Sequence, residues 1–214
     1  MDKIEILYKR RGYAVVNKPV GADSEDKGEG SVPALVRDTL GCEYCAPLQR
    51  LDKVVSGCML VALDKKTAGN LSDLIEQNEI QKEYICVCEG VLENTRGDMK
   101  DILYYDRQKQ KSFPQKKARR GTKDASLSYE VIGTASPSPE RTVSLVRVTL
   151  HTGRTHQIRV QFASRGHSLL GDGKYGSRDK GCSTALVCRA LTIDGERIEA
   201  PLPDAYPWDM FQHE

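Results

Sequence analysis

Two short segments carry residue types suited to acid–base or electrostatic chemistry. The first, Leu48–Gly57, contains Arg50 and Asp52 at a spacing of two residues. In an extended segment this spacing puts both side chains on one side of the chain and Leu51 on the other. The simpler interpretation is an ordinary surface ion pair before a turn, which would contribute roughly 0–1 kcal/mol to stability.

The second segment starts with Thr155, a residue type that can cap a helix. In the predicted helix, Ile158 and Phe162 are four residues apart and face the core. His156 and Arg159 are three residues apart and share a different, polar face. The simpler interpretation is a basic amphipathic helix without any chemistry.

Hydrophobic periodicity and turn residues predict the elements that position these segments. Ser31 is predicted to cap a helix over 32–40, and Asp64 a second helix that begins at the next residue. An alternating pair of strands around Asp194 and Gly195 predicts a hairpin. Further strands are predicted at Gly12–Pro19, Cys58–Leu63, Lys82–Glu89, Ala125–Ile132 and Thr142–Leu150. Strands outnumber helices, so we expect an α+β fold with a mainly antiparallel sheet.

Charge is segregated along the chain, although the net charge is only +2. Residues 107–123 carry eight Lys or Arg and no acid, and residues 141–171 carry five Arg and no acid. The rest of the chain therefore carries −11. This asymmetry favours a polyanionic partner. For 107–123, which we expect to be a connection between strands, a solvated surface loop is the alternative.

Composition excludes several classes of protein. With 214 residues, 39% hydrophobic content and a mean hydropathy of −0.50, the chain can bury a core and resembles a globular protein. No apolar run approaches the roughly 18–20 residues that span a bilayer. Charges interrupt residues 1–10, so we expect no signal peptide. Seven cysteines, an odd number, then indicate free thiols and a cytoplasmic location.

Two further motifs resemble ligand sites. Cys42 and Cys45, with Cys86 and Cys88, could form a four-cysteine zinc site, but the second pair lacks the usual spacing and lies in an alternating, strand-like segment. Residues 171–176 match G-x-G-x-x-G, yet no apolar helical face follows, as a dinucleotide site would require. We expect no metal, and we interpret residues 171–176 as a glycine-rich turn.

The order and spacing of many motifs resemble the RluA-type RNA pseudouridine synthases over residues 13–203. The matching residues are Val16-Asn17-Lys18-Pro19, Gly21, Arg50-Leu51-Asp52, Ser56-Gly57, Lys82, Tyr84, Gly90, residues 153–160 (GRTHQIRV), Gly171-Asp172, Tyr175-Gly176 and Ala200-Pro201-Leu202-Pro203. The resemblance also explains the G-x-G-x-x-G match as part of the family's G-D-x-x-Y-G turn.

The resemblance implies the pseudouridine synthase fold: a mainly antiparallel mixed sheet in two abutting subdomains, with flanking helices and a central active-site cleft. Residues 1–214 would form a single catalytic domain. The implied reaction isomerises uridine in RNA to pseudouridine without a cofactor. The bond between N1 of the base and C1′ of the sugar breaks, and the base rejoins the sugar through C5.

The resemblance also assigns roles to individual residues. Asp52 matches the essential aspartate, which attacks the sugar or helps to remove a sugar proton. Arg159 matches the arginine that pairs with that aspartate and favours its charged form. Tyr84 matches the residue that stacks on the target base and is proposed to handle the C5 proton. Arg50 is a candidate to fill the space left by the flipped base or to hold the flipped strand.

The remaining predictions concern the partner. Predicted RNA-binding residues besides Arg50 are Arg154, His156, Gln157, Lys116, Lys117, Arg119 and Arg120. The expected substrate is ribosomal or transfer RNA, with no membrane and no obligatory protein partner, and a monomer is the default. The N-terminal RNA-binding module of many relatives is expected to be absent, so the catalytic domain itself must hold the substrate.

The sequence departs from the family pattern close to its central motifs. Gln49 replaces the usual His before Arg-Leu-Asp, and Val54-Val55 replace the usual Asp-Thr. Gln161 stands where a His is common. A second hypothesis is therefore a catalytically silent RNA-binding or RNA-folding factor on the same scaffold. A protein that binds DNA or a phosphate metabolite has only the charge blocks in its favour.

Overall fold

The computed structural model describes residues 3–211, so Met1, Asp2 and residues 212–214 lie outside the described part. It divides into two compact units. Unit 1 comprises Met1–Glu83 and Val187–Pro201, and unit 2 comprises Tyr84–Leu186 and Leu202–Glu214. The strands are β1 Glu5–Arg10, β2 Tyr13–Lys18, β3 Ala46–Pro47, β4 Ser56–Ala62, β5 Gln81–Glu89, β6 Arg96–Asp106, β7 Lys111–Gln115, β8 Thr122–Ser138, β9 Arg141–Leu150, β10 Leu186–Ile193 and β11 Glu196–Glu199. The α-helices are α1 Val32–Leu40, α2 Lys65–Glu76 and α3 Gln157–Ala163, and two 3₁₀ turns cover Gly173–Tyr175 and Trp208–Phe211.

Unit 1 is built on the strand order β1-β2-β4-β10, with β3 on β4 and β11 on β10. Its pairs are antiparallel except for β4 and β10, which run parallel. Gly57 of β4 has φ 106°, and a Cβ there would collide with the carbonyl oxygen of Cys188 on β10. Glycine is therefore required at this close approach of the two strands, immediately after the Asp52 segment.

Unit 2 is built on the strand order β5-β9-β8-β6-β7, and β8 pairs antiparallel with both β9 and β6. Helix α3 packs against β6 and β7. Leu103, Ala125, Val160 and Tyr175 form a buried cluster beneath it. The Tyr129 and Phe162 rings meet edge to face at 6.1 Å, which fixes the helix on the sheet.

Most predicted elements are present. The α+β class and the mainly antiparallel sheet are confirmed, as is the hairpin whose turn, Asp194 and Gly195, has φ values of 51° and 76°. Asp64 caps α2 as predicted, since its carboxylate accepts the Thr67 N–H at 2.8 Å. Ser31 occupies the N-cap position of α1, but its hydroxyl donates to the Gly28 carbonyl instead of accepting from the helix.

The prediction of a loop over residues 107–123 is wrong. Strand β7 occupies Lys111–Gln115 and pairs with β6 from Ile102↔Gln115 to Asp106↔Lys111. Only the turns on either side of β7 are irregular. We name the hairpin of β6 and β7, with the turn over residues 116–121 that leads into β8, the basic hairpin.

The cysteines and helices add two observations. Cys86 and Cys88 are buried in β5, and burial raises the pKa of the Cys88 thiol to about 12. Their burial in a strand favours the packing interpretation. Within residues 3–211, each helix is too short or too polar to cross a bilayer.

Candidate active site

Asp52 lies half-buried in an irregular segment that leads from β3 into β4. The buried hydroxyl of Ser24 holds the neighbouring Leu51 from both sides: it donates to the Leu51 carbonyl at 2.7 Å and accepts the Leu51 N–H at 3.0 Å. The Val55 N–H closes a turn on the Asp52 carbonyl at 2.9 Å. These bonds fix the backbone on both sides of the carboxylate.

Lys18 braces the same segment from within the core. Its side chain is fully buried, and its ammonium donates to the carbonyls of Val55 at 2.7 Å, Pro19 at 3.1 Å and Lys53 at 3.4 Å. Burial lowers the pKa of Lys18 to about 8, while the nearby charge of Asp52 opposes that shift. Lys18 therefore ties the end of β2 to the turn that follows Asp52.

Arg50 points to the surface, as the alternation in this segment predicts, while Leu51 is buried. Its Nη1 lies 2.8 Å from Oε1 of Glu25, and about two thirds of its side chain is exposed, at 66%. The long loop over residues 19–31 thus supplies the acid that orients Arg50. A pair this exposed contributes little to stability and leaves the arginine available to a ligand.

The helix that carries Arg159 begins differently from the prediction. Thr155 is not its N-cap; that position belongs to His156, in the left-handed conformation at φ 57° and ψ 23°. Helix α3 starts only at Gln157, so His156 does not share a helical face with Arg159. A non-glycine residue with such a backbone persists because neighbouring contacts hold it.

Gln157 supplies those contacts. Its Oε1 accepts from the Arg154 N–H at 3.0 Å and from the Thr152 hydroxyl at 2.8 Å, and its Nε2 donates to the Ser126 carbonyl at 3.0 Å. The residue is buried. These bonds favour a role in shaping the turn over the contact with RNA that the sequence predicted. Arg154 also supports the motif, because its Nε donates to the Asp124 carbonyl at 2.7 Å.

His156 lies between two tyrosines. Its ring makes edge contacts with Tyr105, at 6.2 Å between centroids, and with Tyr175, at 5.6 Å. Its Nδ1 is 2.9 Å from the Tyr175 hydroxyl, and that hydroxyl also accepts the Ser112 N–H at 2.8 Å. The imidazole is therefore oriented by its surroundings in unit 2.

Arg159 is buried, and so is the carboxylate that it pairs with. Its Nε and Nη2 donate to the two oxygens of Asp172 at 2.7 and 2.8 Å, a bidentate pair with side chains only 5% and 1% exposed. The Tyr175 ring packs 5.2 Å from the guanidinium carbon. The pair fixes the plane of the guanidinium, which has Nη1 as its third nitrogen.

Asp172 is a site residue to which the sequence patterns assigned no role of its own. It follows Gly171, whose φ is +71°. A Cβ at that position would collide with the backbone of Ser183. The Asp172 carbonyl accepts the N–H groups of Tyr175 and Ser177. The sequence signal for Asp172 is the glycine-rich turn over residues 171–176, which resembles a nucleotide-binding motif. In the structure, the acid of this turn binds an arginine, Arg159.

Tyr84 lies in β5 at the start of unit 2 and is 7% exposed. It is the third of the predicted catalytic residues, with Asp52 and Arg159. The family model described as RNA pseudouridylate synthase matches residues 12–164, which include all three. The chain belongs to the RNA pseudouridylate synthase family.

Relatives within this family cover most of the chain. A protein of Pasteurella multocida (strain Pm70), named dual-specificity RNA pseudouridine synthase RluA, is 31% identical over 97% of the chain and 91% of its own length. The RluA-type assignment is thereby confirmed. A Bacillus subtilis (strain 168) protein, named RNA pseudouridine synthase YhcT, is 31% identical over 94% of the chain, which spans 66% of that relative.

The fold agrees with a solved member of the family. The structure titled Human RNA Pseudouridylate Synthase Domain Containing 1 matches with a TM-score of 0.81 and 22% identity, covering 97% of this chain and 86% of that one. At this identity the likeness shows the fold, and the pseudouridine synthase fold predicted from the sequence is confirmed.

The two glutamines that replace family histidines, half-buried Gln49 and buried Gln161, both donate hydrogen bonds. Gln49 Nε2 donates to the Cys58 carbonyl at 2.9 Å. Gln161 Nε2 donates to Asp101 Oδ2 at 2.7 Å and to the Met99 carbonyl at 3.2 Å. An imidazole N–H could make the same kind of bond. Both departures from the family pattern therefore preserve a donor.

Replacing Lys18 with methionine should lower the free energy of unfolding by about 1–3 kcal/mol, because the variant leaves the Val55 carbonyl without its donor. The effect should also depend on pH. The pKa of Lys18 is about 8 in the folded protein, against an ordinary value of 10.5. Between pH 8 and pH 10.5, Lys18 of the unfolded chain therefore holds a proton that the folded protein has released. The stability of the wild type should therefore rise with pH in that window.

Urea unfolding of the wild type and Lys18→Met at pH 7, 8, 9 and 10 measures both effects. The difference between the two proteins should be constant below pH 8 and should move in favour of the wild type from pH 8 to 10. A difference that stays flat to pH 10 would show that the buried ammonium keeps its ordinary pKa.

Proposed function

We propose that this chain is an RNA pseudouridine synthase that isomerises uridines of ribosomal or transfer RNA with Asp52 as the essential catalytic aspartate. The observation that carries the proposal is the family match over residues 12–164, which include the three residues that the resemblance assigns to catalysis, Asp52, Tyr84 and Arg159. The relative named dual-specificity RNA pseudouridine synthase supports an RNA substrate. All 214 residues would act as one catalytic domain.

The proposed reaction is an internal rearrangement. The carboxylate of Asp52 attacks the sugar or helps to remove a sugar proton, and the bond between N1 and C1′ breaks. The freed uracil turns and bonds to C1′ through C5, which then loses its proton while N1 gains one, so the product is an isomer of uridine. Tyr84 is assigned to the base and to that proton. Nothing is oxidised or reduced, so the reaction needs no cofactor.

Arg159 is proposed to pair with the Asp52 carboxylate, as the family resemblance implies, and to favour its charged form. The support is the bidentate pair with Asp172, which uses Nε and Nη2 and so sets the direction of the third nitrogen. A fixed donor costs little reorganisation when charge changes during the reaction. Arg50, exposed on the surface of unit 1, is assigned to the RNA strand around the flipped uridine.

The direct test is to map pseudouridines in ribosomal and transfer RNA from a strain lacking the gene, with and without the restored gene. We expect one or more sites to disappear in the deletion strain and to return on complementation. Identical maps in both strains would favour the silent RNA-binding factor. The cytoplasmic location and the monomeric state stay predictions, to be checked by fractionation and by light scattering.

The basic hairpin is proposed to bind RNA phosphates. Its turn exposes Lys116, Lys117, Arg119 and Arg120. Changing all four to glutamine should weaken RNA binding and flatten its dependence on salt. The slope of log K against log salt should fall by about 0.7 for each phosphate that the variant no longer neutralises.

The matched control changes four exposed lysines of unit 1, Lys9, Lys27, Lys65 and Lys66, to glutamine, which removes the same total charge. Fluorescence anisotropy with labelled RNA between 50 and 300 mM salt, a range in which the Debye length stays on the order of 10 Å, gives both slopes. Equal slopes in the two variants would mean that the hairpin acts only through net charge.

A further inference from the structure

The basic hairpin carries an aromatic surface on one face. Tyr104 of β6 and Phe113 of β7 are directly opposite each other in the strand register, and both are half-buried. Leu103 and Ser112 alternate with them and point to the other face. Leu103 packs in the buried cluster with Tyr175, and the Ser112 hydroxyl donates to the Thr155 carbonyl beside α3. The Tyr104 and Phe113 rings therefore share the face that is turned away from the helix.

Cations surround these two rings. The Arg119 guanidinium carbon lies 4.9 Å from the centre of the Tyr104 ring, and the ammonium groups of Lys109 and Lys111 lie 5.6 and 5.7 Å from the centre of the Phe113 ring. The turn that carries Arg119 is closed by hydrogen bonds of both its N–H and its carbonyl to the Thr122 hydroxyl. Arg119 is therefore placed by a defined turn.

A cavity of about 570 Å³ opens on β6, β7 and β8, and its lining residues Ile102 and Gln115 lie two positions from Tyr104 and Phe113 along their strands. Ile102, which pairs with both Gln115 and Asp124 in the sheet, forms an apolar part of the cavity lining. Ser126 belongs to the polar part of the lining. Gln115 and Asp124 line the cavity and carry oxygens that can accept hydrogen bonds. Lys100 in the same lining offsets the Asp124 charge, so these acceptors favour a neutral group that donates hydrogen bonds. A flat group with amino donors would be accepted.

We propose that this face, which we name the Tyr104–Phe113 platform, binds unpaired nucleotides of the RNA substrate. Bases stack on the two rings, and phosphates contact Arg119, Lys109 and Lys111. A base that carries an exocyclic amino group, such as adenine, enters the cavity. The inference rests on the proposed function and adds a requirement to it: the RNA must offer a single-stranded segment next to the target uridine.

The chemistry distinguishes this ligand from a duplex. Stacking on an aromatic ring needs a base whose face is open, which a paired base inside a helix lacks. Charge alone would bind either form, and a duplex more strongly, because its charge density is higher. Preference for a single strand over a duplex of equal charge is therefore the signature of the platform.

Binding of labelled twelve-residue oligoadenylate, oligouridylate and a hairpin duplex of equal charge tests the proposal by anisotropy. The wild type should bind oligoadenylate more tightly than the other two. The double variant Tyr104→Leu with Phe113→Leu keeps apolar area but removes the rings, and its affinity for oligoadenylate should fall about 10-fold or more with an unchanged salt slope. An unchanged affinity would overturn the platform.

The matched control is Tyr8→Leu in unit 1, because Tyr8 is also half-buried and has Arg10 over its ring at 5.6 Å. It should bind all three RNAs like the wild type. Photocrosslinking of the wild-type protein to a single strand containing 5-iodouridine needs no variant and so is independent of folding. Crosslinks should include Tyr104 or Phe113, and a crosslink map without either residue would contradict the assignment.

Tritium release from uridine labelled at C5 separates this inference from the proposed function. If the chain releases tritium and the double variant binds RNA like the wild type, the platform fails and the catalytic proposal stands. If no cellular RNA gives tritium release but the platform binds single strands as described, the catalytic proposal fails and the platform stands.

Discussion

Asp52→Asn should abolish pseudouridine formation, lowering turnover by at least about 10⁴-fold, while RNA affinity stays within a few-fold of the wild type. The amide keeps the size of the side chain but can neither attack the sugar nor take a sugar proton. The backbone around it should be unaffected, because Ser24 and Lys18 hold the segment through main-chain groups. Tritium release from RNA labelled at C5 of uridine measures turnover, and anisotropy measures affinity.

Asp23→Asn is the matched control. Asp23 is a carboxylate of the same unit, it pairs with Lys53 at 3.2 Å, and like Asp52 it opposes the lowered pKa of Lys18. The control should keep nearly full turnover, since it changes the charge near the segment but not the reacting group. Full turnover in Asp52→Asn, or an equal loss in both variants, would show that Asp52 is not the catalytic residue.

Elements governed by nearby residues could be predicted from the sequence. Helix α2 begins where Asp64 can accept the Thr67 N–H, and the β10–β11 hairpin turns where Asp194 and Gly195 accept positive φ. Both depend on groups within a few residues. The sequence missed β1, because its charged residues obscure the alternation that its antiparallel pairing with β2 requires.

Elements governed by distant partners could not be predicted in the same way. Strand β7 has few apolar residues, and it is a strand because β6 supplies its hydrogen-bond partners. The start of α3 was misplaced because the Gln157 side chain bonds back to Thr152 and Arg154 and displaces Thr155 from the cap. A propensity for capping does not reveal such a competing bond.

The candidate site shows the same contrast between features set by nearby residues and features set by distant partners. Asp52 and Arg159 were found through short motifs that match a family. Asp172 was seen only as part of a glycine-rich turn, because its role depends on an arginine thirteen residues earlier in the chain. The burial of Asp172 is visible only in the structure, and the neighbouring motif offers two arginines, Arg154 and Arg159, as possible partners.

Asp172→Asn should lower the free energy of unfolding by about 3–5 kcal/mol, because it removes the buried charge that is bonded to Nε and Nη2 of the Arg159 guanidinium. Turnover should fall as well, since the plane of the guanidinium is no longer fixed. Urea unfolding followed by circular dichroism measures the first effect, and tritium release at saturating RNA measures the second.

The double variant Arg159→Met with Asp172→Leu separates the two effects. Replacing a buried ion pair by apolar residues of similar size is often neutral or stabilising, so most of the stability should return. Turnover should not return, because the donor proposed for the Asp52 carboxylate is gone. Arg165→Met is the control: it removes an exposed pair with Asp101 near the end of the same helix and should cost less than about 1 kcal/mol. A double variant that is both stable and active would reduce Arg159 to a structural residue.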